Sequence, residues 1–270
     1  MLSRETLRRL TIASGVNALL TLAYPGALAS FLFSSEPASA LRLAAALSLV
    51  LAGVGCATLL GLRRYLATDC GFDGASGPLA LHAWITAGSG VALLVGWGVV
   101  RLGSSESEWS WALALGVLGY FLLVSVAIGI LELVIAGALR SCSAEGYGLL
   151  APLRITFWVV GAANLASIVI GLTIVFGMVA YAVAFGLVFL LFHAAWRERA
   201  GSLPEGFRYG RGALAGVVAV ALLSTAVPGA AAVQALRDFV AEEGAAEAMI
   251  EPPEGSPRVD RQPSSRGGDR

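Results

Sequence analysis

The sequence contains no lysine: all 18 of its basic residues are arginines, in a chain of 270 residues. A retinal protein needs a lysine amine to form its Schiff base, so that class of seven-helix protein is excluded. The formal net charge of zero gives no reason to expect a nucleic-acid partner.

Charge of either sign is also scarce. Charged residues make up 13% of the chain and hydrophobic residues 57%, with a mean hydropathy of +0.78. A soluble globular protein carries about 25% charged residues. Several apolar runs approach the ~20 residues that a helix needs to cross a hydrocarbon core. We therefore predict an all-α polytopic membrane protein whose main partner is the lipid bilayer.

Residues and motifs that carry chemistry are few. The three cysteines, Cys56, Cys70 and Cys142, form no CxxC pair and no metal-ligand spacing, so we interpret them as free thiols. The sequence has no HExxH motif, phosphate-binding loop, Ser-His-Asp order or dinucleotide fingerprint. We expect no enzymatic activity, no cofactor and no metal.

The apolar runs predict seven transmembrane helices, with ends accurate to a few residues. The predicted spans are 9–31, 39–62, 79–101, 110–139, 152–175, 177–197 and 212–235. Spans five and six are nearly continuous, which predicts a tight turn around Gly177. The predicted domains are a membrane domain (1–200), a cytoplasmic loop with the seventh helix (201–240) and an extracytoplasmic tail (241–270), acidic and then disordered.

The arginines predict the orientation. With the N-terminus inside, eleven arginines fall on inner segments and only Arg42, Arg101 and Arg237 on outer ones, which is a positive-inside bias. The protein is then a multi-pass protein of a bacterial inner membrane, with a cytoplasmic N-terminus and an extracytoplasmic C-terminus. The inner arginines are Arg4, Arg8, Arg9, Arg63, Arg64, Arg140, Arg154, Arg197, Arg199, Arg208 and Arg211.

The N-terminus permits a second interpretation. Arg8 and Arg9, the apolar run after them and the small residues "ALAS" at 27–30 resemble a signal peptide with its cleavage site. The internal repeat described next needs this first helix, and therefore favours its retention.

Three helix ends repeat one pattern: "GVGCATLLGLRR" at 53–64, "GILELVIAGALR" at 129–140 and "GLVFLLFHAAWR" at 186–197. The preceding helices carry their own glycine, in "TIASGV", "TAGSGV" and "WVVGAAN". Repetition in phase predicts three hairpins of the same orientation plus one extra helix. Small residues let membrane helices approach closely, so we predict packing positions along these helices, and such faces also suit a homo-oligomer or another membrane protein. The predicted packing positions are Gly15, Gly53, Gly90, Gly129, Gly137, Gly161, Gly186 and Asn164.

These helix ends, together with "SGVNALLTLAYPG", resemble the HdeD family of bacterial acid-resistance membrane proteins over about residues 10–197. The shortened third hairpin, the seventh helix and the tail depart from that family's pattern. The resemblance implies a non-enzymatic role in acid or envelope stress, and it implies no cofactor or transported substrate.

Glu132 is the candidate proton site, because it lies eight residues before Arg140, within a span. Intramembrane carboxylates are costly and often functional, although they also serve as packing contacts. The repeat places Cys56 and Phe189 at the same position, so the scaffold does not require an acid there. His193 is the second candidate, as a partner in a proton relay. We interpret His82, at the start of span three, as a headgroup or capping contact.

Two functions follow from these residues. The first is a non-enzymatic membrane protein of acid or envelope stress. The second is a small proton or solute transporter or channel that uses Glu132. The scarcity of intramembrane charge and of unwound helix pairs weighs against the second function.

Overall fold

The computed structural model describes residues 1–32, 37–102, 107–144, 146–166 and 173–223. These residues are helical apart from short connections, and no strand occurs among them. The helices are α1 (Arg4–Leu32), α2 (Pro37–Thr68), α3 (Ser76–Leu102), α4 (Ser107–Leu139), α5 (Leu150–Ala166), α6 (Thr173–Arg199) and α7 (Arg211–Leu223). A 3₁₀ turn, Gly146–Gly148, precedes α5. The predicted tail and the second half of the seventh span lie outside the described residues.

Among the residues that the structure describes, three stretches are long and apolar enough to cross a membrane: Ala46–Thr68, Leu122–Leu139 and Val179–Arg199. They indicate a membrane protein, although they are fewer than the seven predicted spans. The described parts of α5 and α7 are apolar but shorter, Leu150–Ala166 and Arg211–Leu223.

The predicted turn at Gly177 is wrong. Gly177 lies inside α6 and is buried. A methyl group added to it would lie 3.8 Å from the Ala163 Cβ atom, so this glycine lies close to α5. Glycine here serves close helix packing, which the sequence pattern alone does not distinguish from a turn. The link between α5 and α6, 167–172, lies outside the described residues.

Helices α1 to α6 form a closed ring. Each helix packs on the next along the chain, and α6 returns to pack on α1. The most extensive contacts lie between hairpins rather than within them: α2 on α3, α4 on α5, and α6 on α1. This is the arrangement that three hairpins of the same orientation would give around a common axis.

A glycine marks each contact between hairpins. A methyl group added to Gly90 of α3 would lie 2.5 Å from the Ala52 Cβ of α2. At Gly161 of α5 it would lie 2.8 Å from the Gly129 carbonyl oxygen of α4, and at Gly15 of α1 it would lie 3.1 Å from the Phe189 ring of α6. The first helix of every hairpin therefore uses its glycine against the second helix of the neighbouring hairpin.

Polar contacts join the helix ends on the side of the ring that holds the N-terminus. Asp69, which follows α2, accepts a hydrogen bond from the Leu2 backbone N–H at 3.0 Å and pairs with Arg199 of α6 at 2.6 Å. Tyr147, in the left-handed region with a φ of 57°, donates to Glu198. Burial and that hydrogen bond raise the pKa of the Tyr147 hydroxyl. These contacts tie the ends of α1, α2 and α6 and the start of α5 together.

The thiol of Cys70 lies at this same end, and burial raises its pKa from 9.0 to about 11. The fold favours the neutral thiol, so this contribution to stability is present below pH 9 and is lost as the pH rises through 11. The difference of two pH units corresponds to about 100-fold less thiolate below pH 9, and the thiolate is the nucleophile. With Cys70 as the sole cysteine, we expect slow alkylation at pH 7 that accelerates with pH beyond 9. The chain unfolded in detergent is the control, and equal rates in both states would contradict the prediction.

Candidate functional site

The interior of the ring holds a carboxylate and an imidazole in direct contact. The Nε2 atom of His82 on α3 lies 3.1 Å from the Oε1 atom of Glu132 on α4. Their side chains are 3% and 0% exposed. Buried charges in proteins are normally paired, because an isolated one is very unfavourable. His82 and Glu132 therefore form a buried pair that joins the two helices of the second hairpin, α3 and α4.

The second oxygen of the carboxylate is held by the third hairpin. The Nδ2 atom of Asn164 on α5 donates to Glu132 Oε2 at 2.9 Å, and it also donates to the hydroxyl of Tyr181 on α6 at 2.9 Å. The Tyr181 hydroxyl is in turn hydrogen-bonded to the Glu132 carboxylate. On the other side, the Thr86 hydroxyl lies 3.3 Å from His82 Nδ1. We call these five side chains the polar cluster.

The close crossing of α4 and α5 explains how a short asparagine side chain reaches Glu132. Gly129 and Gly161 face each other there, and each lies near the carbonyl oxygen of the other. Glu132 and Asn164 each follow their glycine by three residues, so both lie almost one helical turn further along, next to the crossing. The glycines bring the backbones together, and the polar pair bridges them.

His193 lies elsewhere. Its ring is stacked on Phe189 at 5.8 Å between centroids, and it contacts Trp196 at 5.6 Å. The imidazole that contacts Glu132 is that of His82, so the predicted relay between Glu132 and His193 does not describe this site. The interpretation of His82 as a headgroup or capping contact does not fit the structure, because the His82 side chain is buried and bonded to a carboxylate.

The predicted packing positions divide into two groups. Gly15, Gly90, Gly129 and Gly161 lie at contacts between hairpins, and Gly186 faces Val217 of α7 at 2.7 Å from an added methyl group. Gly53 and Gly137 lie on exposed faces, where an added methyl group would meet no described atom. On α2 the closely packed glycines are instead Gly55 and Gly61, which are buried. Asn164 donates hydrogen bonds to Glu132 and Tyr181 within the polar cluster.

The repeat contained a signal for His82. Counting eight residues back from the glycine of each first helix gives Leu7, His82 and Leu153. Both leucines are fully buried, at 0% exposure. An imidazole in a position otherwise held by core leucines predicts a buried histidine, and a buried histidine requires a polar partner. Tyr181 had no comparable signal.

The side chains of the cluster have the chemistry of proton binding. Among the described residues, no group of three or more His, Cys, Asp and Glu side chains is arranged to hold a metal ion. The imidazole has a nitrogen on each side, one toward Thr86 and one toward Glu132. The arrangement can therefore take up a proton at one nitrogen and release one at the other.

Comparison with known proteins adds no relative. The chain matches no family model, no curated protein and no solved structure. The resemblance to the HdeD family thus rests on the repeated helix ends, and any function must be argued from the polar cluster.

Proposed function

We propose that the chain is a non-enzymatic, multi-pass membrane protein that responds to acid through the buried pair of His82 and Glu132. Its membrane is a bacterial inner membrane, which seven helices cross with the N-terminus in the cytoplasm, and its role lies in acid or envelope stress. The apolar side chains on the outside of the ring support the membrane location, since a soluble protein rarely exposes so many. They include Ile12, Leu19, Trp84, Leu123, Trp158 and Leu223.

The observation that carries the proposal is the contact of 3.1 Å between His82 and Glu132, with both side chains buried. When one proton is shared by the two groups, the pair has no net charge. Adding or removing a proton leaves a net charge in a medium of low polarity, which is unfavourable. The gain of a proton by this buried pair is therefore the step through which we propose that acid acts.

A proton gained by the pair would also disturb the hydrogen bonds. Both carboxylate oxygens of Glu132 already accept hydrogen bonds, Oε1 from His82 and Oε2 from Asn164. When Glu132 gains the proton, one of its oxygens becomes an O–H donor. A hydrogen bond of the cluster, between α3 and α4 or between α4 and α5, must then reverse its direction or change its partner. Acid would thus rearrange the hydrogen bonds that join these helices, and this is the response that we propose.

The test is an acid titration of the purified protein in nanodiscs, followed by the infrared carboxyl band. We expect a band that rises on acidification in the wild type and is missing in Glu132→Gln, because glutamine keeps the shape but takes up no proton. The matched control is Glu5→Gln, an exposed acid on α1 that should leave the band unchanged. A wild-type spectrum without a titrating band that depends on Glu132 would refute the proposal.

Transport through Glu132 is the second candidate, and the buried amide of Asn17 favours it, because this polar group without a protein partner lies in the same ring. Liposomes with an internal pH dye distinguish the two functions. Proton flux in the wild type that Glu132→Gln abolishes would establish transport, and no flux in either would exclude proton transport. Acid survival of a deletion strain tests the stress role, and labelling of Cys70 by an impermeant maleimide in intact cells would refute the orientation.

A further inference from the structure

Asn17 on α1 is the one buried side chain of the described residues whose nitrogen and oxygen atoms both lack a hydrogen-bond partner. It is 0% exposed. An amide can donate two hydrogen bonds and accept two, and leaving such a group unsatisfied in an apolar interior is costly. Buried polar groups in native proteins that have no protein partner are commonly satisfied by an ordered water molecule.

Its neighbours on α1 show why Asn17 is different. Thr11, Ser14 and Thr21 lie on the same buried face, and each hydroxyl donates to a carbonyl oxygen of its own helix at 2.8 Å. A hydroxyl group can satisfy itself in this way along a helix. The wider amide of Asn17 does not, so it needs a partner from outside its helix.

The space beside Asn17 is formed by a glycine. A methyl group added to Gly55 of α2 would lie 3.7 Å from Asn17 Nδ2, 3.8 Å from Asn17 Oδ1 and 3.5 Å from Thr86 Cγ2. We call the space between these three residues the Gly55 niche. The Cγ2 methyl group of Thr86 borders this niche. The Thr86 hydroxyl group, which is attached to the same Cβ atom, lies 3.3 Å from His82 Nδ1. Thr86 therefore lies between the Asn17 amide and the His82 imidazole.

We propose that the Gly55 niche binds a water molecule that hydrogen-bonds to the Asn17 amide, and that protons reach His82 and Glu132 from this water through the Thr86 hydroxyl. The inference rests on the proposed function and adds the route by which a proton reaches the pair. A larger solute would find little room in the niche, because a single added methyl group would already contact the atoms of Asn17 and Thr86 that line it.

A hydronium ion in the niche gives a proton to Thr86 Oγ1, and the hydroxyl proton of Thr86 passes to His82 Nδ1. The proton on His82 Nε2 passes to Glu132 Oε1. The hydronium ion ends as water, Thr86 and the imidazole end neutral, and the carboxylate ends as a carboxylic acid. Besides Thr86, the groups that bond the pair are Tyr181 from α6 and the neutral Asn164 from α5. The thiol of Cys56 on α2 packs against the same core.

The experiment is a pH jump with infrared detection of the Glu132 carboxyl band. Asn17→Leu removes the amide, and Gly55→Ala fills the niche at distances that ordinary contacts permit. Thr86→Val removes the hydroxyl with little change of shape. We expect each to slow the rise of the band by about tenfold, the factor that corresponds to one lost hydrogen bond of ordinary strength. In Asn17→Leu and Gly55→Ala the band should reach its usual size at equilibrium, because neither change alters a side chain of the polar cluster.

One control is matched to these variants. Gly53→Ala lies two residues away on an exposed face of the same helix, so it should retain the wild-type rate. Wild-type rates in Asn17→Leu, Gly55→Ala and Thr86→Val would overturn the route while leaving the proposed function intact. A wild-type band that does not titrate would overturn both. If Asn17→Leu does not fold, Gly55→Ala and Thr86→Val decide the matter.

Discussion

Replacing Glu132 by alanine is expected to lower the free energy of unfolding by about 3–5 kcal/mol, the range measured when one partner of a buried pair is removed. The change leaves His82 buried, at 2% exposure, without its carboxylate, and it leaves Asn164 Nδ2 without one of its two acceptors. It also opens a cavity against a fully buried position. The measurement is unfolding of the purified protein in mixed micelles by increasing detergent denaturant.

A double-mutant cycle separates the pair from the cavity. His82→Leu places in α3 the residue that both other hairpins carry at this position, and the cycle combines it with Glu132→Leu. We expect a coupling energy of about 1–3 kcal/mol between the two sites, as found for residues in direct contact within one network. The control is Glu5→Ala, whose exposed ion pairs should contribute less than about 1 kcal/mol. Additive effects of the two leucine substitutions would contradict a direct interaction.

Replacing Gly161 by valine should destabilise the protein by about 1–3 kcal/mol or more, since extra atoms in a packed interior force the backbone to shift. The first added carbon would lie 2.8 Å from the Gly129 carbonyl oxygen and 2.9 Å from the Leu133 side chain. A backbone oxygen cannot move aside as the end of a flexible side chain can. Separation of α4 from α5 would also draw Asn164 away from Glu132, so the infrared titration should change together with the stability.

Gly53→Val is the matched control for this prediction. Gly53 is the repeat glycine of α2, it lies within a helix, and it faces no described atom. A surface substitution of this kind usually changes stability by no more than about 0.5 kcal/mol. Equal losses of stability at Gly53 and Gly161 would show that the close crossing of α4 and α5 is not the reason, and would point to the shared loss of glycine instead.

The helices could be predicted from the sequence, because long apolar runs without polar interruption have few alternatives in lipid. The error at Gly177 shows the limit of such reasoning. A glycine between two apolar runs fits a tight turn and a close helix contact equally well, and only the packing of α5 against α6 decides between them. Gly53 shows the same limit, because a repeated glycine marks a position in the sequence but not the direction that it faces.

The site could be predicted in part. Glu132 was evident because a carboxylate in an apolar run is unusual in any context. Its partner was not, because the choice between His82 and His193 depends on which helices are neighbours and how each is rotated. The sequence places both histidines near helix ends. Because α3 contacts α4, His82 is the histidine that reaches Glu132. The His193 ring instead packs against the rings of Phe189 and Trp196.

The closed ring allows the chain to begin at a different hairpin. Because α6 packs on α1 as α2 packs on α3, the position of the chain break between hairpins is immaterial to the packing of the six helices. A circularly permuted chain that begins at α3, continues through α6 and returns through a linker to α1 and α2 would keep every neighbour. It would keep the second and third hairpins consecutive, and with them Glu132, His82, Asn164 and Tyr181. Inside the ring, the Glu132 carboxylate bridges the second and third hairpins, so in the permuted chain these two hairpins would remain joined both by the backbone and by the polar cluster.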